Sequence, residues 1–296
     1  MPDDPMNIAV AVNPAYIMPL KVMLFSLARN TERTLSVYLL YRSLNETERN
    51  SIKDFVKEKC CGTLHEIFVD IDDRSFSKYL SSRPQWSVEI FYRLLLPYIL
   101  DTSIEKILWL DADIIVCGSI DSLYDTDLGQ HYLCAAPDDG GEQSARRLGL
   151  APGQRYFNSG LLLMNLSAIR RDFSQRRILS FFSENQETLP YGDQDTLNCL
   201  MGHNVLLVDE SIYNNQAHLR WRVSKNARVI HFIMSIKPWK VYYCGDKYAV
   251  SRFWEYAGQC GFRRGVLSLV GNGLAKIPAA VYLKFRQTKQ KGGGAP

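Results

Sequence analysis

An apolar run from Ile107 to Val116 contains two carboxylates, Asp111 and Asp113. Such a run indicates a buried strand, and an isolated buried charge is very costly, so the two anions need a neutralising partner. Side chains alternate along a strand, which predicts that both aspartates point to the same side. Two carboxylates at the end of an apolar strand form half of a site for a hard divalent cation. From this run alone, solvent-facing or arginine-paired aspartates are an equally good interpretation.

Composition and charge limit the classes of protein to consider. The chain has 296 residues, of which 46% are hydrophobic and 11% aromatic, so it can build a full core and is not disordered. Residues 1–260 carry 28 basic against 31 acidic side chains, whereas residues 261–296 carry seven basic and no acidic ones. An acidic body with a basic tail suggests that the tail meets an anionic surface. No feature of the body indicates a nucleic-acid partner.

Cysteine usage and the N-terminus bear on location. The seven cysteines are an odd number without a C-x-x-C spacing, which argues against a disulfide framework or a structural zinc site and favours a reducing compartment. The N-terminus lacks the basic and apolar regions of a signal peptide, and no apolar run reaches about 18 residues. The sequence therefore predicts a cytoplasmic protein.

The C-terminal segment has its own pattern. From Gly265 apolar residues recur with a period of 3.6, the basic residues lie off that stripe, and Pro278 is expected to divide it into two helices. A basic amphipathic stretch can lie in a membrane interface. We therefore predict a folded domain over residues 1–260 and a basic amphipathic tail over residues 261–296. Residues 261–291 would contact the inner face of the cell membrane. The alternative is a helical hairpin packed on the body.

Strand and helix patterns alternate along the chain. Strands are predicted at Asn7–Asn13, Leu35–Tyr41 and Glu66–Val69, with helices between them at Tyr16–Asn30 and Asn45–Lys59. This alternation predicts an α/β fold with a central, mostly parallel sheet, in which ligands bind beyond the carboxyl ends of the strands. Later in the chain we predict helices at Ser87–Leu100, Arg170–Ser183 and Asp193–Leu200, a loop at Pro137–Arg155, and strands at Leu133–Ala136, Phe157–Leu166, Val205–Val208 and Val229–Phe232.

Three further motifs place polar side chains near the ends of these elements. Phe157–Gly160 opens an apolar strand with an amide and a glycine, and Tyr191–Asp195 places polar residues at a helix start. His231 ends a strand six residues before Lys237. A histidine there is a candidate third ligand for a metal on the aspartate pair, and the lysine can face a phosphate as a point charge. A lone strand-end histidine is usually structural, so the inference depends on the combination.

In this order the motifs resemble glycosyltransferase family 8. The resemblance covers roughly residues 7–260. Members are retaining, metal-dependent enzymes with a GT-A fold, and they include glycogenin and bacterial lipopolysaccharide galactosyl- and glucosyltransferases. The motifs that carry the resemblance are the N-terminal strand with Tyr16, Phe91–Leu94, Leu110–Asp113, Phe157–Gly160, Gly192–Asp195, and His231 with Lys237-Pro238-Trp239.

The resemblance implies the transfer of galactose or glucose from a UDP-sugar to a glycan or glycolipid acceptor, in cell-envelope polysaccharide or lipopolysaccharide synthesis. It implies that Asp111, Asp113 and His231 hold Mn²⁺, or Mg²⁺, on the diphosphate of the donor. A metal there stabilises the leaving UDP as a Lewis acid. Lys237 would add a second positive group at the β-phosphate.

The resemblance also implies contacts with the rest of the donor. Tyr16 would stack on uracil and Asn13 would hydrogen-bond its edge. Gln194 would lie near the anomeric carbon, with Asp193 as the second candidate for the catalytic position. Glutamine is a poor nucleophile, so the expected mechanism is a front-face displacement through a short-lived oxocarbenium ion. The substrate-binding candidates are Ala11, Asn13, Tyr16, Arg93, Asp111, Ala112, Asp138, Asn158, Ser159 and Lys237.

The sequence departs from the family pattern at two positions, and two other functions stay open. Met234 stands where a glycine usually lets the backbone approach the phosphate, and Asn13 stands where an aspartate is common. Met234 keeps a non-catalytic, nucleotide-sugar-binding protein open. A haloacid-dehalogenase-like phosphohydrolase also uses D-x-D after an apolar strand. That family expects Thr or Val where Ile115 stands, and its motif lies nearer the N-terminus.

Overall fold

A computed structural model describes residues 4–70, 74–83, 86–217, 222–233, 237–240 and 245–263 of the chain. Within these residues ten strands form two sheets. The strands are β1 (Met6–Ala11), β2 (Leu35–Tyr41), β3 (Gly62–Phe68), β4 (Lys106–Leu110), β5 (Ile114–Val116), β6 (Leu133–Pro137), β7 (Phe157–Asn165), β8 (Val205–Leu207), β9 (Asn215–Gln216) and β10 (Val229–His231).

The larger sheet has seven strands in the order β3-β2-β1-β4-β7-β6-β8. All its neighbours pair in parallel except β7, which runs antiparallel to both β4 and β6. The smaller sheet has the order β5-β10-β9, with β10 antiparallel to β5 and parallel to β9. The carboxyl ends of β1, β4 and β6 therefore share one edge of the larger sheet.

Helices cover the sheets. They are α1 (Ile17–Ala28), α2 (Glu46–Cys60), α3 (Arg74–Ser81), α4 (Tyr92–Ile99), α5 (Asp121–Tyr124), α6 (Gly141–Leu148), α7 (Leu166–Asp172), α8 (Gln175–Asn185), α9 (Gly192–Met201), α10 (Glu210–Tyr213) and α11 (Lys247–Gln259). Short 3-10 helices span Pro14–Tyr16, Val88–Phe91 and Gly202–Asn204.

Strand alternation sends β4 side chains into two different cores. Leu108 packs with α1 and α2 on one face, and Trp109 packs with α4 and α8 on the other. A third apolar cluster lies under the smaller sheet, where Ile115 and Ile230 meet Phe253 of α11. The larger sheet is thus buried on both faces, as a mostly parallel sheet requires. The smaller sheet packs on its own apolar cluster with α11.

Much of the predicted local structure is confirmed. The β2 strand has the predicted bounds, and the first strand ends two residues earlier than predicted. In the capping box of α2, the Asn45 side chain accepts from the Glu48 N–H and the Glu48 carboxylate accepts from the Asn45 N–H. The predicted α/β class with a mostly parallel sheet is also confirmed.

Three predictions of local structure were wrong. The run Ile107–Val116 is not one strand, because β4 ends at Leu110 and β5 belongs to the other sheet. The predicted helix Arg170–Ser183 is two helices, with Ser174 capping the second. The predicted loop Pro137–Arg155 contains the helix α6, which starts at Gly141.

Residues 264–296 lie outside the described residues, so the amphipathic tail and the division near residue 260 stay predictions. In the part of the chain that the structure describes, no helix is both long enough and apolar enough to cross a bilayer.

Candidate active site

The two aspartates lie where the chain passes from one sheet to the other. Asp111 follows the last residue of β4, and Asp113 immediately precedes β5. The Asp111 N–H donates to the Gly160 carbonyl at 2.8 Å, and the Phe232 N–H donates to the Asp113 carbonyl at 2.9 Å. The period-two argument that put both side chains on one side of a strand was therefore wrong. Their side chains converge because the turn is held between β7 and the end of β10.

The side chains of Asp111 and Asp113 both point towards His231. One ligand atom from each of Asp111, Asp113 and His231 lies within 4.8 Å of the others. The His231 Nε2 is 3.2 Å from Asp113 Oδ1 and 3.8 Å from Asp111 Oδ2. Asp113 Oδ1 is buried and has no hydrogen-bond partner among the described residues. Carboxylate oxygens and an imidazole nitrogen are ligands that suit Mn²⁺, and oxygen ligands suit Mg²⁺.

An irregularity in β7 frees the backbone groups that orient these side chains. Ala135 pairs with Leu162 and Pro137 pairs with Phe157, so two steps along β6 correspond to five along β7. The residues between these pairs have no partner on β6, although β7 stays paired with β4 up to Leu161, and two of their N–H groups bond to side chains. The Ser159 N–H donates to Gln194 Oε1 at 3.0 Å, and the Gly160 N–H donates to Asn158 Oδ1 at 3.0 Å.

The Gly160 N–H, acting through two asparagine side chains, determines that the Nδ1 nitrogen of His231 carries a proton. Because that N–H can only donate, the oxygen it meets on Asn158 is an acceptor, and the other contact of this oxygen, at 2.9 Å, must be the amide nitrogen of Asn214. The Asn214 oxygen then faces His231 Nδ1 at 3.0 Å, so Nδ1 carries the proton. In the neutral imidazole, Nε2 then carries the lone pair, 3.2 Å from Asp113 Oδ1. Two lone pairs at that distance repel, and a cation between them would remove the repulsion.

Two basic side chains neutralise the aspartates. The guanidinium of Arg93, which is only 4% exposed, donates to Asp111 Oδ1 at 2.8 Å. Its Nε lies 3.1 Å from Asp193 Oδ2. The Lys237 ammonium donates to Asp113 Oδ2 and to the Phe232 carbonyl. Burial raises the pKa of Asp113, but Lys237 and His231 together outweigh burial and hold that pKa below its usual range.

Two more carboxyls, those of Asp193 and Asp138, lie beside the aspartate pair, and Asp193 is buried. Burial raises the pKa of Asp193 to about 6, against the opposing effect of Arg93, and Asp111 adds to the rise. Asp193 Oδ2 also accepts a hydrogen bond from the Ser159 hydroxyl at 3.0 Å. Burial raises the pKa of Asp138 as well. The surroundings therefore lower the pKa of Asp113 and raise the pKa values of Asp193 and Asp138.

The amide of Gln194 is held on both sides. Its Oε1 accepts from the Ser159 N–H at 3.0 Å and from Asn158 Nδ2 at 3.1 Å. The second hydrogen of Asn158 Nδ2 goes to Asp138 Oδ1 at 2.9 Å. Gln194 Nε2 donates to the Tyr156 hydroxyl at 3.0 Å. The predicted residues Asp138, Asn158, Ser159, Asp193 and Gln194 are therefore one connected cluster.

Tyr16 lies near the aspartates. Its ring is half-buried and meets the ring of Trp239 edge to face, with 5.8 Å between centroids. Burial raises the pKa of the Tyr16 phenol, and Asp113 and Asp111 add to the rise, so the phenol stays neutral. Tyr16 is thus an aromatic surface next to the candidate metal ligands.

Asn13 has local contacts that the sequence did not predict. Its Oδ1 accepts from the Ala15 N–H at 3.0 Å and caps the 3-10 helix, and its Nδ2 donates to the Ser87 hydroxyl at 3.2 Å. One amide hydrogen and one oxygen lone pair remain for a ligand. Ala11 ends β1 at the same sheet edge, and Ala112 is buried between the two aspartates.

Residues 7–242 match the family described as glycosyl transferase family 8. The chain belongs to glycosyltransferase family 8.

Relatives and solved structures agree with this assignment. The chain is 23% identical over 270 residues to the lipopolysaccharide 1,3-galactosyltransferase of Salmonella typhimurium, covering 86% of this chain and 78% of that protein. It is 29% identical over 175 residues to the lipopolysaccharide glucosyltransferase WaaO of Escherichia coli, covering 54% and 51%. The galactosyltransferase LgtC, solved with donor and acceptor sugar analogs, superimposes with a TM-score of 0.75 at 25% identity, covering 86% of this chain and 96% of LgtC.

These matches decide two of the sequence-based interpretations. The GT-A fold is confirmed by the match to LgtC. Membership of family 8 also excludes the haloacid-dehalogenase-like phosphohydrolase as an explanation of Asp111 and Asp113. Another solved LgtC structure is of an active-site mutant in which glutamine is replaced by glutamate. Met234, the main departure from the family pattern, lies outside the described residues.

Several site residues of this family-8 protein were missed by sequence reasoning. Asn214 and Gln216 flank the start of β9, and Gln216 Nε2 donates to Asp138 Oδ1 at 2.8 Å. The Trp109 indole N–H donates to Asp111 Oδ1 at 2.9 Å. Tyr156 contacts Gln194 and Asp195. The sequence signal for Asn214 and Gln216 was the run of three amide side chains Asn214–Gln216. The run has no periodicity, so it does not predict a helix or a strand or a position at the site.

Gly160 is the most restrictive position of the site. A Cβ there would lie 2.1 Å from His231 Cε1 and 3.0 Å from Asp111 Oδ2. Gly160→Ala would therefore displace the histidine ring. We expect the affinity for UDP in the presence of Mn²⁺, measured by titration calorimetry, to fall at least about tenfold, as for other changes that misorient metal ligands.

Gly258→Ala in α11 is the matched control, because a Cβ at Gly258 meets no atom within 4 Å. We expect that variant to bind UDP and Mn²⁺ as the wild type does. Unchanged binding by Gly160→Ala would contradict the convergence of His231 and Asp111 beside this glycine.

Proposed function

We propose that this protein is a retaining hexosyltransferase that moves galactose or glucose from a UDP-sugar to a glycan or glycolipid acceptor in cell-envelope glycan synthesis. The observation that carries the proposal is the meeting of Asp111, Asp113 and His231 within 4.8 Å, with the His231 lone pair and Asp113 Oδ1 facing each other. The family and the named activities of the relatives support the sugar class.

Asp111, Asp113 and His231 would hold Mn²⁺ or Mg²⁺. When bound, such a cation supplies Lewis-acid stabilisation of the negative charge that grows on a departing diphosphate. Lys237 adds a positive charge next to the same carboxylates and is placed to face a phosphate. Tyr16 offers the aromatic surface for uracil, and the unused amide valences of Asn13 offer hydrogen bonds to its edge.

The connected cluster would orient the hexose. Asp138 and Asp193 accept hydrogen bonds, and ionised carboxylates bind sugar hydroxyls strongly. Arg93 is nearly buried and bonded to Asp111, Asp193 and Ser159, so it would act mainly by fixing the two carboxylates. This differs from the direct contact with the donor that the sequence predicted for Arg93, which stays untested.

Gln194 is the proposed residue at the anomeric carbon. An amide is a poor nucleophile, and the oxygen of this one already accepts hydrogen bonds from the Ser159 N–H and Asn158 Nδ2. Both facts favour a front-face displacement over a covalent intermediate. The bond from the anomeric carbon to the phosphate oxygen breaks as the bond to the acceptor oxygen forms on the same face. The departing phosphate oxygen takes the proton of the acceptor hydroxyl. The active-site glutamine of LgtC supports this assignment.

A panel of UDP-sugars tests the donor and the metal. We expect UDP release with UDP-galactose or UDP-glucose in the presence of Mn²⁺ or Mg²⁺, and its loss on chelation. Asp113→Asn should lower turnover more than about a hundredfold, since the Lewis-acid contribution is worth several kcal/mol. Asp125→Asn, which changes an exposed aspartate paired with Arg33, should leave turnover unchanged.

The same panel separates the alternatives. Binding of UDP and Mn²⁺ by calorimetry without turnover of any nucleotide-sugar would support the non-catalytic interpretation raised by Met234. Absence of both binding and turnover would refute the proposed function.

The raised pKa of Asp193 predicts a pH dependence. As the pH falls through about 6, Asp193 gains a proton and becomes neutral, so its ion pair with Arg93 is lost. The other charged group that acts on Asp193 is Asp111. We expect kcat/KM to fall below that pH because a neutral carboxyl binds sugar hydroxyls less strongly. Asp193→Asn should have a lower kcat/KM at neutral pH and no inflection near pH 6 between about pH 5 and pH 8. The same inflection in Asp193→Asn would assign it to another group.

The proposed location is the cytoplasmic face of the cell membrane, with the basic tail as the contact. We expect the full chain to float with vesicles that contain anionic lipid and to be released by salt, since such attraction is screened. Replacing Lys284, Arg286, Lys289 and Lys291 by glutamine should abolish flotation while UDP-sugar turnover in solution persists. Equal flotation of the two proteins would remove the charged tail as the membrane contact.

A further inference from the structure

Behind Gln194 lie two buried side chains, Tyr156 and Asp195, and a partly exposed arginine, Arg147, none of which has a role in the proposed mechanism. Tyr156 is 2% exposed and Asp195 is fully buried, although neither belongs to the candidate metal site. The Tyr156 hydroxyl lies 2.7 Å from Asp195 Oδ1 and 3.0 Å from Gln194 Nε2. Arg147, from α6, donates to the same Asp195 oxygen at 2.8 Å.

The donor and acceptor pattern of this group has one solution. The Ser159 backbone N–H can only donate, so the Gln194 atom it meets is the oxygen, and the amide nitrogen faces Tyr156. The Tyr156 hydroxyl accepts from that nitrogen and must donate its own proton to Asp195. Burial raises the pKa of Tyr156, and Asp195 adds to the rise, so this proton is retained at neutral pH.

Asp195 is fully engaged in this arrangement. Its Oδ1 accepts from Tyr156 and Arg147, and its Oδ2 accepts from the Tyr191 N–H at 2.9 Å. A carboxylate that is buried and bonded on both oxygens is unsuited to contact a sugar directly. Its link to the Gln194 side chain is the hydroxyl of Tyr156.

We infer that Tyr156 and Asp195 are positioning residues that fix the orientation of the Gln194 amide, with Arg147 anchoring Asp195 from α6. One hydrogen of Gln194 Nε2 is held by Tyr156, so rotation of the amide would break this bond and the two bonds to Gln194 Oε1. The inference rests on the proposed function, since it assumes that the Gln194 amide acts on the sugar.

Tyr156→Phe tests the inference, because it removes the hydroxyl and keeps the ring. We expect kcat for UDP-sugar turnover to fall about tenfold to a hundredfold, the size of effect that misplacement of a reacting group produces. The KM for the donor and the affinity for UDP with Mn²⁺ should change less than about twofold, because the contacts proposed for UDP lie elsewhere. In a Gln194→Ala background, Tyr156→Phe should have no further effect on kcat.

Tyr132→Phe is a matched control. The Tyr132 hydroxyl also donates to a carboxylate, Asp172 Oδ2 at 2.9 Å, and that carboxylate is also paired with an arginine, Arg171. Tyr132 precedes β6, whereas the site lies after its carboxyl end. We expect Tyr132→Phe to retain the kcat of the wild type, with thermal unfolding followed for all variants.

The outcomes distinguish the inference from the function on which it rests. Wild-type turnover with an unchanged kcat in Tyr156→Phe would overturn the inference alone. Equal losses in Tyr156→Phe and Tyr132→Phe, or additive losses with Gln194→Ala, would also overturn it. A wild type that turns over no nucleotide-sugar would overturn the proposed function, and the inference with it.

Discussion

Two adjacent backbone N–H groups, those of Ser159 and Gly160, determine the orientation of most polar side chains in the candidate site. A backbone N–H can only donate, so each fixes which atom of a neighbouring amide faces it. The Gly160 N–H fixes the orientation of the Asn158 and Asn214 amides, and these place a proton on His231 Nδ1. The Ser159 N–H fixes the Gln194 amide, and that amide fixes the direction of the Tyr156 hydroxyl. Both N–H groups lie in the part of β7 where its pairing with β4 ends and its register against β6 shifts. The order of the site therefore begins where the regular ladder of β7 stops.

Basic side chains of the same chain neutralise the two aspartates. Two aspartates next to a buried strand would be unstable without cations, and the fold provides Arg93 for Asp111 and Lys237 for Asp113. Both cations are nearly buried, so their positions are fixed before any ligand arrives. Among the described residues, Asp113 Oδ1 is buried without a hydrogen-bond partner, and it lies 3.2 Å from His231 Nε2, which is unprotonated in the neutral imidazole. The unsatisfied atom and the unprotonated nitrogen point to the same small volume, and this makes the donor set suitable for a divalent cation.

Sequence patterns predicted the elements and the main site residues, but not the way they meet. The strands and capped helices follow from local periodicity, and the motif residues from the resemblance. The run Ile107–Val116 was wrongly predicted as one strand because its apolar residues belong to two sheets, and hydropathy alone does not indicate where a chain passes from one sheet to another. Asn214 could not be predicted, because it is uncharged and lies 56 residues from its partner Asn158. Tertiary contacts between short polar side chains leave no periodic signal.

The environment gives chemically identical groups different properties. Burial acts to raise the pKa of both Asp113 and Asp193, yet Lys237 and His231 hold the pKa of Asp113 below its usual range, whereas that of Asp193 is raised to about 6. Asp193 shares its one cation, Arg93, with Asp111, and a shared cation compensates burial less than one paired with a single carboxylate. Any change that frees Arg93 from Asp111 would therefore strengthen its pairing with Asp193 and lower the pKa of Asp193. Arg93 bonds Asp111 Oδ1, whereas Asp111 Oδ2 faces His231. The two oxygens of Asp111 are therefore divided between the guanidinium and the candidate metal position, which Asp111 could join through Oδ2 without losing Arg93.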